Sequence, residues 1–227
     1  HIPYCKQRCT YCDFHFRISQ KDKSEMLKSM KEEIEFKTNY LSTKSIKTIY
    51  FGGGTPSILN IEEINSLIQT IEHNYEISED AEITLECNPD DLTERKLLSL
   101  KEVGINRLSI GIQSFKDKDL EFINRSHNSK EGIDCIKTAK KVGFNNITVD
   151  LIYGLPNQTV EEWEENLDIL FSLDIQHISA YALTVENKTA LNHLIKTGKI
   201  KALPDEKTIE QFNILQEKTK ERGFIHY

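Results

Sequence analysis

The stretch KEVGINRLSIGIQSF, residues 101 to 115, decides the fold class, because it runs from a helix end through a glycine into an apolar strand. The same order returns 39 residues later in KKVGFNNITVDLIYG, residues 140 to 154. A glycine at the end of a helix typically takes the left-handed conformation that terminates it. Repeated helix–glycine–strand units predict an α/β fold, either a β/α barrel or a doubly wound sheet.

Five apolar runs are predicted to be strands, with amphipathic helices between them. Most are nearly continuous hydrophobic segments, as expected for parallel strands covered on both faces. The predicted strands are Ile46–Phe51, Glu82–Glu86, Arg107–Ile112, Ile147–Ile152 and His177–Leu183. A strand end at His1 brings the count to six β/α units, whereas eight would close a full TIM barrel. The sequence therefore predicts a partial (β/α)6 barrel of the TIM type.

Several helix boundaries carry recognisable capping residues. Asn60 is followed three residues later by Glu63, which is the pattern of a capping box. Thr93 and Ser129 are the next predicted N-caps, and Gly104 and Gly143 occupy the position just after a helix end.

The composition indicates a soluble globular protein, and its length fits one large domain or two small ones. The 227 residues are 38% hydrophobic and carry a formal net charge of −7, which argues against non-specific binding to nucleic acid. No apolar run approaches the roughly 20 residues needed to span a membrane, so any membrane association is expected to go through a partner. The five cysteines are an odd number with three of them clustered, which favours a reducing cytoplasm over a disulfide framework.

The clustered cysteines lie in CKQRCTYC, residues 5 to 12. Thiolates in a short loop are typical metal ligands. One interpretation is a 4Fe–4S cluster held by Cys5, Cys9 and Cys12, which leaves one iron open for a chelating ligand. The other is a zinc site with the same three thiolates and His1 or His15 as the fourth ligand.

Three successive glycines, Gly52, Gly53 and Gly54, follow the first predicted strand and precede Thr55. Without Cβ atoms, this backbone can approach a ligand closely at the C-terminal end of the strand. A tight strand-to-helix turn is the alternative, although such a turn needs fewer glycines. The lysine of a phosphate-binding P-loop is absent from the segment.

Polar residues recur at the C-terminal ends of the other predicted strands. They are Glu86, Gln113 with Ser114, Asp150 and Tyr181. A carboxylate inside a strand is costly unless it is paired or binds a ligand, and strand ends carry the active site in β/α folds. The recurrence predicts one ligand pocket. Arg125 either adds a cation to this pocket or is an ordinary surface arginine.

Longer motifs identify a family resemblance. The sequence resembles the radical S-adenosylmethionine (SAM) proteins in the three-cysteine motif and in Gly52–Pro56. Further matches narrow the resemblance to the oxygen-independent coproporphyrinogen III oxidase-like group: HIPYC at 1–5, ECNP at 86–89, GIQSF at 111–115 and DLIYGLP at 150–156. The resemblance runs from residue 1 to about residue 227, so residues 1–227 are expected to be a radical SAM core domain, a fragment without the family's C-terminal domain.

The resemblance implies roles for individual residues. Cys5, Cys9 and Cys12 would ligate a 4Fe–4S cluster, and S-adenosyl-L-methionine would chelate the fourth iron. In such proteins an electron from the cluster can cleave SAM to a 5′-deoxyadenosyl radical. The implied SAM-binding residues, with Tyr11 acting through its backbone, are Tyr11, Gly53, Gly54, Thr55, Glu86, Gln113, Arg125, Asp150 and Ala182. No catalytic residue is assigned.

Within the group, the resemblance favours the heme-chaperone branch, which binds heme and passes it to acceptor proteins. The coproporphyrinogen III dehydrogenases carry a further cysteine two residues after the third ligand, and this position is Phe14 here. The dehydrogenase, which oxidatively decarboxylates propionate side chains, is the alternative. Implied partners are heme or porphyrin, a heme-acceptor protein and an electron donor. The heme ligand is not assigned, and structural or surface roles are favoured for His15 and His127.

Overall fold

The computed structural model describes residues 1–43 and 45–227, in which parallel strands alternate with helices. The strands are β1 (Ser45–Phe51), β2 (Glu76–Cys87), β3 (Arg107–Gln113), β4 (Ile147–Tyr153) and β5 (His177–Ala182). The helices are α1 (Lys23–Phe36), α2 (Ile61–Asn74), α3 (Glu94–Glu102), α4 (Asp117–Phe122), α5 (Ser129–Lys141), α6 (Val160–Ser172), α7 (Ala190–Lys196) and α8 (Asp205–Glu221). Short 3-10 turns at Pro56–Ile58 and Pro89–Asp91 follow β1 and β2.

The five strands form one parallel sheet in the order β1-β2-β3-β4-β5. Each strand therefore pairs with the next one along the chain, which is the topology of a barrel wall and not that of a doubly wound sheet. All five predicted strands are confirmed, and β2 begins six residues earlier than predicted, at Glu76. The fold is a partial barrel of the TIM type.

The sixth predicted strand is present as an extended segment beside β1 and not as a full strand. Ile2 forms an isolated parallel bridge with Gly53. The Ile2 amide donates to Gly52 O at 2.7 Å, and Gly54 N donates to Ile2 O at 2.8 Å. Residues 1–5 thus enter the fold along the C-terminal end of β1, and this brings the cysteine loop to the glycine loop.

The helix caps match the sequence with one exception. Asn60 forms a full capping box with Glu63, and the Thr93 side chain accepts from Lys96 N. The prediction of Ser129 as an N-cap is wrong by one residue: Asn128 caps α5 and Ser129 is its first helical residue. The Asn128 side chain reaches the amide of the third helical residue, and this satisfies a donor that would otherwise lack a partner.

The two faces of the sheet differ in polarity. The core between sheet and helices contains Leu85, Leu108 and Val149 from the strands and Ile136 and Trp163 from the helices, all fully buried. Because side chains alternate along a strand, the residues between these apolar ones point to the opposite, barrel-interior face. The sequence predicted that apolar residues would cover both faces of the sheet, whereas the inner face is polar. Side chains that bind a ligand can therefore lie on this inner face.

None of the helices in residues 1–43 and 45–227 is both long and apolar enough to cross a membrane.

Candidate cofactor site

One cavity of about 520 Å³ lies at the C-terminal ends of the strands. Of the strand-end residues predicted to share one pocket, Ser114 is absent from its wall, because its hydroxyl is buried against Asp119 and Asn166. The wall does contain every residue that the family resemblance assigned to the cluster or to SAM. These are Cys5, Cys9, Tyr11, Cys12, Gly53, Gly54, Thr55, Glu86, Gln113, Arg125, Asp150 and Ala182. A larger open groove, of about 1070 Å³, lies between α8 and β5, and none of these residues lines it.

The three glycines each make room for a different part of the chain. A Cβ on Gly52 would lie 2.9 Å from the Tyr50 ring. One on Gly53, whose φ of +127° disfavours other residues, would lie 2.8 Å from Ile2 N. One on Gly54 would lie 2.8 Å from Tyr4 O and 3.0 Å from Cys5 Sγ. The glycine loop therefore packs directly against the cysteine loop, a requirement beyond that of a tight turn.

Glu86, near the end of β2, is held through both carboxylate oxygens. The Tyr50 hydroxyl donates to Oε1 at 2.8 Å, and the Gly53 amide donates to Oε2 at 3.0 Å. Burial and this hydrogen bond raise the pKa of Tyr50, so the phenol remains a donor at neutral pH. The carboxylate is thereby fixed at the junction of β1, β2 and the glycine loop.

Arg125, which follows α4, is part of the cavity wall. Its Nη2 donates to Asn88 Oδ1 and to Gly111 O, each at 2.7 Å, and its Nη1 lies 3.5 Å from Cys9 Sγ. Its Nε is buried without a hydrogen-bond partner. This geometry excludes the surface-arginine alternative, because Asn88 and Gly111 hold the guanidinium in the cavity wall.

Asp150 lies in the middle of β4, next to Ser179 of β5 in the register of the sheet. Its two oxygens are 3.4 and 3.5 Å from Ser109 Oγ on the other neighbouring strand. Burial raises the pKa of Asp150 to about 6 from an ordinary value of 3.8. Ser179, Ser109 and the Arg125 charge offset only part of this burial, so a cationic ligand would find an under-compensated carboxylate here.

Gln113 ends β3 with a φ of +69°, where the pairing of β3 with β4 shifts register. A Cβ on Gly111 would lie 2.9 Å from Gln113 Nε2 and 3.3 Å from Arg125 Nη2. The glycine thus lets the Gln113 amide and the Arg125 guanidinium share the space above β3.

The cysteine loop is tied to the barrel at several points along its length. Gln7 Nε2 donates to Asn124 O at 2.8 Å, and Asn124 Nδ2 donates back to Arg8 O at 2.7 Å. Thr10 N donates to Ile123 O at 3.1 Å. Lys6 pairs with Asp90 at 2.8 Å. The segment between Cys5 and Cys12 is therefore held in place by the chain itself.

The three clustered cysteines are free and partly exposed, whereas Cys87 and Cys135 are buried. Burial raises the pKa of Cys5 and of Cys12. Thr55 Oγ1 lies 3.5 Å from Cys5 Sγ, as does Arg125 from Cys9, so two of the sulfurs have a nearby donor. In residues 1–43 and 45–227, no three His, Cys, Asp or Glu side chains converge on a point as ligands of a single metal ion.

Comparison with known proteins settles the family. The family model described as the radical SAM superfamily matches residues 1–170. This chain belongs to the radical SAM superfamily. Membership implies a 4Fe–4S cluster and SAM as cofactors, and the three thiols in the wall of a polar cavity are a donor set that suits such a cluster.

Individual relatives cover the whole chain. The heme chaperone HemW of Bacillus subtilis is 38% identical over 229 residues, which span all of this chain and 60% of the relative. The mitochondrial radical S-adenosyl methionine domain-containing protein 1 of Danio rerio is 32% identical and is covered to 51%. The solved structure of coproporphyrinogen III oxidase (HemN) from Escherichia coli, a radical SAM enzyme, has a TM-score of 0.83 at 28% identity, over 97% of this chain and 50% of that one. The chain thus spans about half to three fifths of these proteins.

Sequence reasoning missed several polar residues that support this radical SAM cavity. Tyr50 fixes Glu86, Asn88 accepts from Arg125, Ser109 approaches Asp150, and Asn124 clamps the cysteine loop. A signal existed for Asn88, which directly follows β2, and for Ser109, which strand alternation places on the same face of β3 as Gln113. None existed for Tyr50 or Asn124, because their roles depend on partners 36 and 116 residues away.

The histidines near the motifs have other contacts. His127 is buried, and its Nε2 lies 3.1 Å from Ile112 O. Burial lowers the pKa of His127 to about 4. The His1 Nε2 lies 3.2 Å from the backbone oxygen of His15. The structural role favoured for His127 fits these contacts.

Proposed function

We propose that this chain is the cluster- and SAM-binding core of a heme chaperone, which receives heme and passes it to an acceptor protein in the cytoplasm. The observation that carries the proposal is the single cavity that joins three cysteines to the polar strand ends of a radical SAM barrel. The heme part is supported by the similarity to heme chaperone HemW, which extends over the whole chain.

The cluster would be held by Cys5, Cys9 and Cys12. Their thiols are partly exposed to the cavity. Burial keeps Cys5 and Cys12 protonated in the free protein because it raises the pKa of each thiol. Binding of iron then releases these protons, so loading becomes easier as pH rises. Hydrogen-bond donors at the sulfurs, such as Thr55, also tune the potential of a cluster.

SAM carries a sulfonium cation, an amino group and a carboxylate, and the cavity offers groups of matching charge. Glu86 and Asp150 present acceptors, while Gln113 and Arg125 present donors. The Arg125 guanidinium brings a positive charge to the cavity wall for the carboxylate of the ligand. The glycine backbone at Gly53 and Gly54, with Thr55, would meet the methionine end, while Tyr11 and Ala182 would flank the rest. When bound, the cluster supplies the electron for reductive cleavage of SAM.

The chain's own residues perform the positioning. Tyr50 and Gly53 fix the Glu86 carboxylate, and Asn88 and Gly111 fix the Arg125 guanidinium. Fixed donors and acceptors lower the ordering cost of binding a flexible ligand. They also hold it in one orientation relative to the cysteine loop, which is the contribution a protein makes to cofactor chemistry.

An oxygen-independent coproporphyrinogen III dehydrogenase is the second candidate, favoured by the likeness to the Escherichia coli oxidase structure. Phe14 supports the chaperone instead. This residue stands where the dehydrogenases carry a further cysteine, and its side chain is 72% exposed in the cavity wall. A phenyl ring cannot ligate a metal, but it offers apolar surface to a porphyrin face.

The test uses the full-length protein, reconstituted anaerobically with iron and sulfide. We expect an EPR signal from the reduced cluster that shifts when SAM is added, and heme uptake visible in the optical spectrum. Cys9→Ala should lose the cluster, whereas Cys135→Ala, which changes a buried cysteine of α5, should retain it. A SAM-responsive cluster with no heme uptake, together with turnover of coproporphyrinogen, would transfer the assignment to the dehydrogenase. Zinc in place of iron would overturn both.

A further inference from the structure

The backbone at Gln113 is strained at the point where β3 leaves the sheet. Ser114 N donates to Ile112 O at 2.9 Å, so the hydrogen bond closes over a single residue. With a φ of +69° at Gln113, this is the γ-turn form with positive φ, which is the rarer and more strained of the two. A non-glycine residue adopts it only where its surroundings enforce it.

The turn is enforced from outside the cavity by Asn166 of α6. Asn166 Oδ1 accepts from Phe115 N at 2.5 Å, and its Nδ2 donates to Glu162 O at 3.0 Å. The side chain is fully buried. Asn166 therefore joins the residue after the γ-turn to the first turns of a helix in the next β/α unit.

Three more buried side chains complete this contact. Ser114 Oγ lies 2.7 Å from Asp119 Oδ2 and 3.2 Å from Asn166 Oδ1, and its single proton can serve one of them. Gln158 Nε2 donates to the same Asp119 oxygen at 3.2 Å. None of Ser114, Asp119, Gln158 and Asn166 lines the cavity. Burying four polar side chains outside the cavity is costly unless they hold something in place.

We propose that Asn166 is a positioning residue for ligand binding: it clamps the turn after β3 and thereby holds the Gln113 amide above Gly111, inside the SAM cavity. The proposal rests on the proposed function, because the ligand in question is SAM. It concerns how a side chain outside the cavity, Asn166, positions one inside it, Gln113. The alternative is that Asn166 only satisfies a buried amide and so stabilises the fold. This alternative accounts for the same contacts, but it predicts no energetic coupling between Asn166 and Gln113 in SAM binding.

The first experiment is a double-mutant cycle on the dissociation constant for SAM, with the reconstituted full-length protein. Gln113→Ala and Asn166→Ala should each weaken SAM binding by about tenfold, the size of one lost hydrogen bond. In the Gln113→Ala background, Asn166→Ala should add almost nothing, since the side chain that it positions is gone. Iron content should stay at the wild-type level in all three variants.

Two further variants control for folding. Asn166→Asp keeps an oxygen for Phe115 N and should retain most of the affinity, so it serves if Asn166→Ala fails to fold. Asn106→Ala is the matched control, because Asn106 accepts from Ile83 N and donates to Ala81 O, both at 2.8 Å, at the opposite end of β3. It should leave SAM affinity unchanged.

The outcomes separate the two proposals. If the wild type binds no SAM, the proposed function fails. If the wild type binds SAM and Gln113→Ala weakens binding, but Asn166→Ala and Asn166→Asp bind like the wild type, the clamp is overturned and the site survives. Equal losses from Asn166→Ala in the wild-type and Gln113→Ala backgrounds would also overturn it, since Asn166 would then act independently of Gln113.

Discussion

Tyr50 and Glu86 lie on neighbouring strands and are joined by a hydrogen bond of 2.8 Å from the phenol to Oε1. The carboxylate faces the cavity, whereas Tyr50 is absent from the cavity wall. A Cβ on Gly52 would lie 2.9 Å from the Tyr50 ring and 3.2 Å from Glu86 Oε1. Gly52 therefore leaves room for the hydrogen bond between Tyr50 and Glu86. The orientation of the Glu86 carboxylate, a proposed ligand-binding group, thus depends on Tyr50, which lies outside the cavity.

Replacing Tyr50 by phenylalanine tests this dependence. Tyr50→Phe should raise the dissociation constant for SAM by about three- to tenfold, because Glu86 loses one of its two fixed donors. Iron content should not change. Tyr75→Phe is the matched control, since the Tyr75 hydroxyl makes one hydrogen bond of 2.9 Å, to Lys37 O, away from the cavity. Equal affinity of Tyr50→Phe and wild type in calorimetric titration would remove Tyr50 from the site.

A methyl group on Gly54 should affect iron and not only SAM. Its Cβ would lie 2.8 Å from Tyr4 O and 3.0 Å from Cys5 Sγ, so the cysteine loop must shift to admit it. We expect Gly54→Ala to lose about half or more of the iron bound after reconstitution, because cluster ligands tolerate little displacement. Gly132→Ala in α5, whose Cβ would meet the flexible end of Ile112, is the control and should bind iron normally. Full iron in Gly54→Ala would show that the loop can move freely.

Much of the fold could be predicted from the sequence, because periodicity and caps are local. The helix–glycine–strand repeat placed β3 and β4 to within a residue or two, and Asn60 and Thr93 cap their helices as expected. Ser129 was misplaced because Asn128 and Ser129 are both good N-caps, and the choice depends on which one has the third amide within reach.

The residues of the site also divide into those that local sequence predicts and those that it does not. Residues in motifs or at strand ends could be predicted, since the carboxyl ends of parallel strands meet. The supporting contacts could not, because each joins segments distant in sequence: Asn166 to Phe115, Asn124 to Arg8 and Tyr50 to Glu86. The polar inner face of the sheet was also missed, since strands such as β4 contain a single charged residue, Asp150, that reads as an exception.

The pKa of Asp150 predicts a pH-dependent stability. The folded protein holds this proton up to a pKa of about 6, against an ordinary value of 3.8. Between these values the folded state binds more protons than the unfolded state, so stability falls as pH rises through the window. Above pH 6, the free energy of unfolding is lower by about 3 kcal/mol than it is below pH 3.8, as far as Asp150 is concerned. Asp150→Asn should remove this dependence, and urea unfolding without SAM at pH 4 and pH 7 measures it.

The contribution of His127 to stability changes with pH in the opposite direction, so the unfolding experiment needs a correction for it. Its pKa is lowered to about 4 by burial, so the unfolded state takes up protons first and stability rises with pH through the same range. The quantity to compare is therefore the difference between Asp150→Asn and wild type at each pH, in which the His127 contribution cancels. A difference that stays constant from pH 4 to pH 7 would refute the raised pKa of Asp150.

Arg125→Lys should damage the site although it keeps the charge. The guanidinium donates to Asn88 Oδ1 and Gly111 O and reaches Cys9 Sγ, while its Nε has no partner in the described protein. Both oxygens accept from Nη2, whereas Cys9 Sγ faces Nη1, and the single nitrogen of a lysine ammonium cannot occupy both places. We expect SAM affinity to fall about tenfold or more and the free energy of unfolding to drop by about 1–3 kcal/mol, since an acceptor is left buried without a donor.

Arg222→Lys is the matched control for that loss. The Arg222 guanidinium lies over the Phe171 ring, 4.8 Å from its centroid, in the groove between α8 and β5 and not in the cavity wall. Its replacement should cost less than about 1 kcal/mol and leave SAM binding intact. Wild-type SAM affinity in Arg125→Lys would show that charge alone suffices at this position. The hydrogen bonds from Nη2 to Asn88 and Gly111 would then contribute to stability and not to recognition.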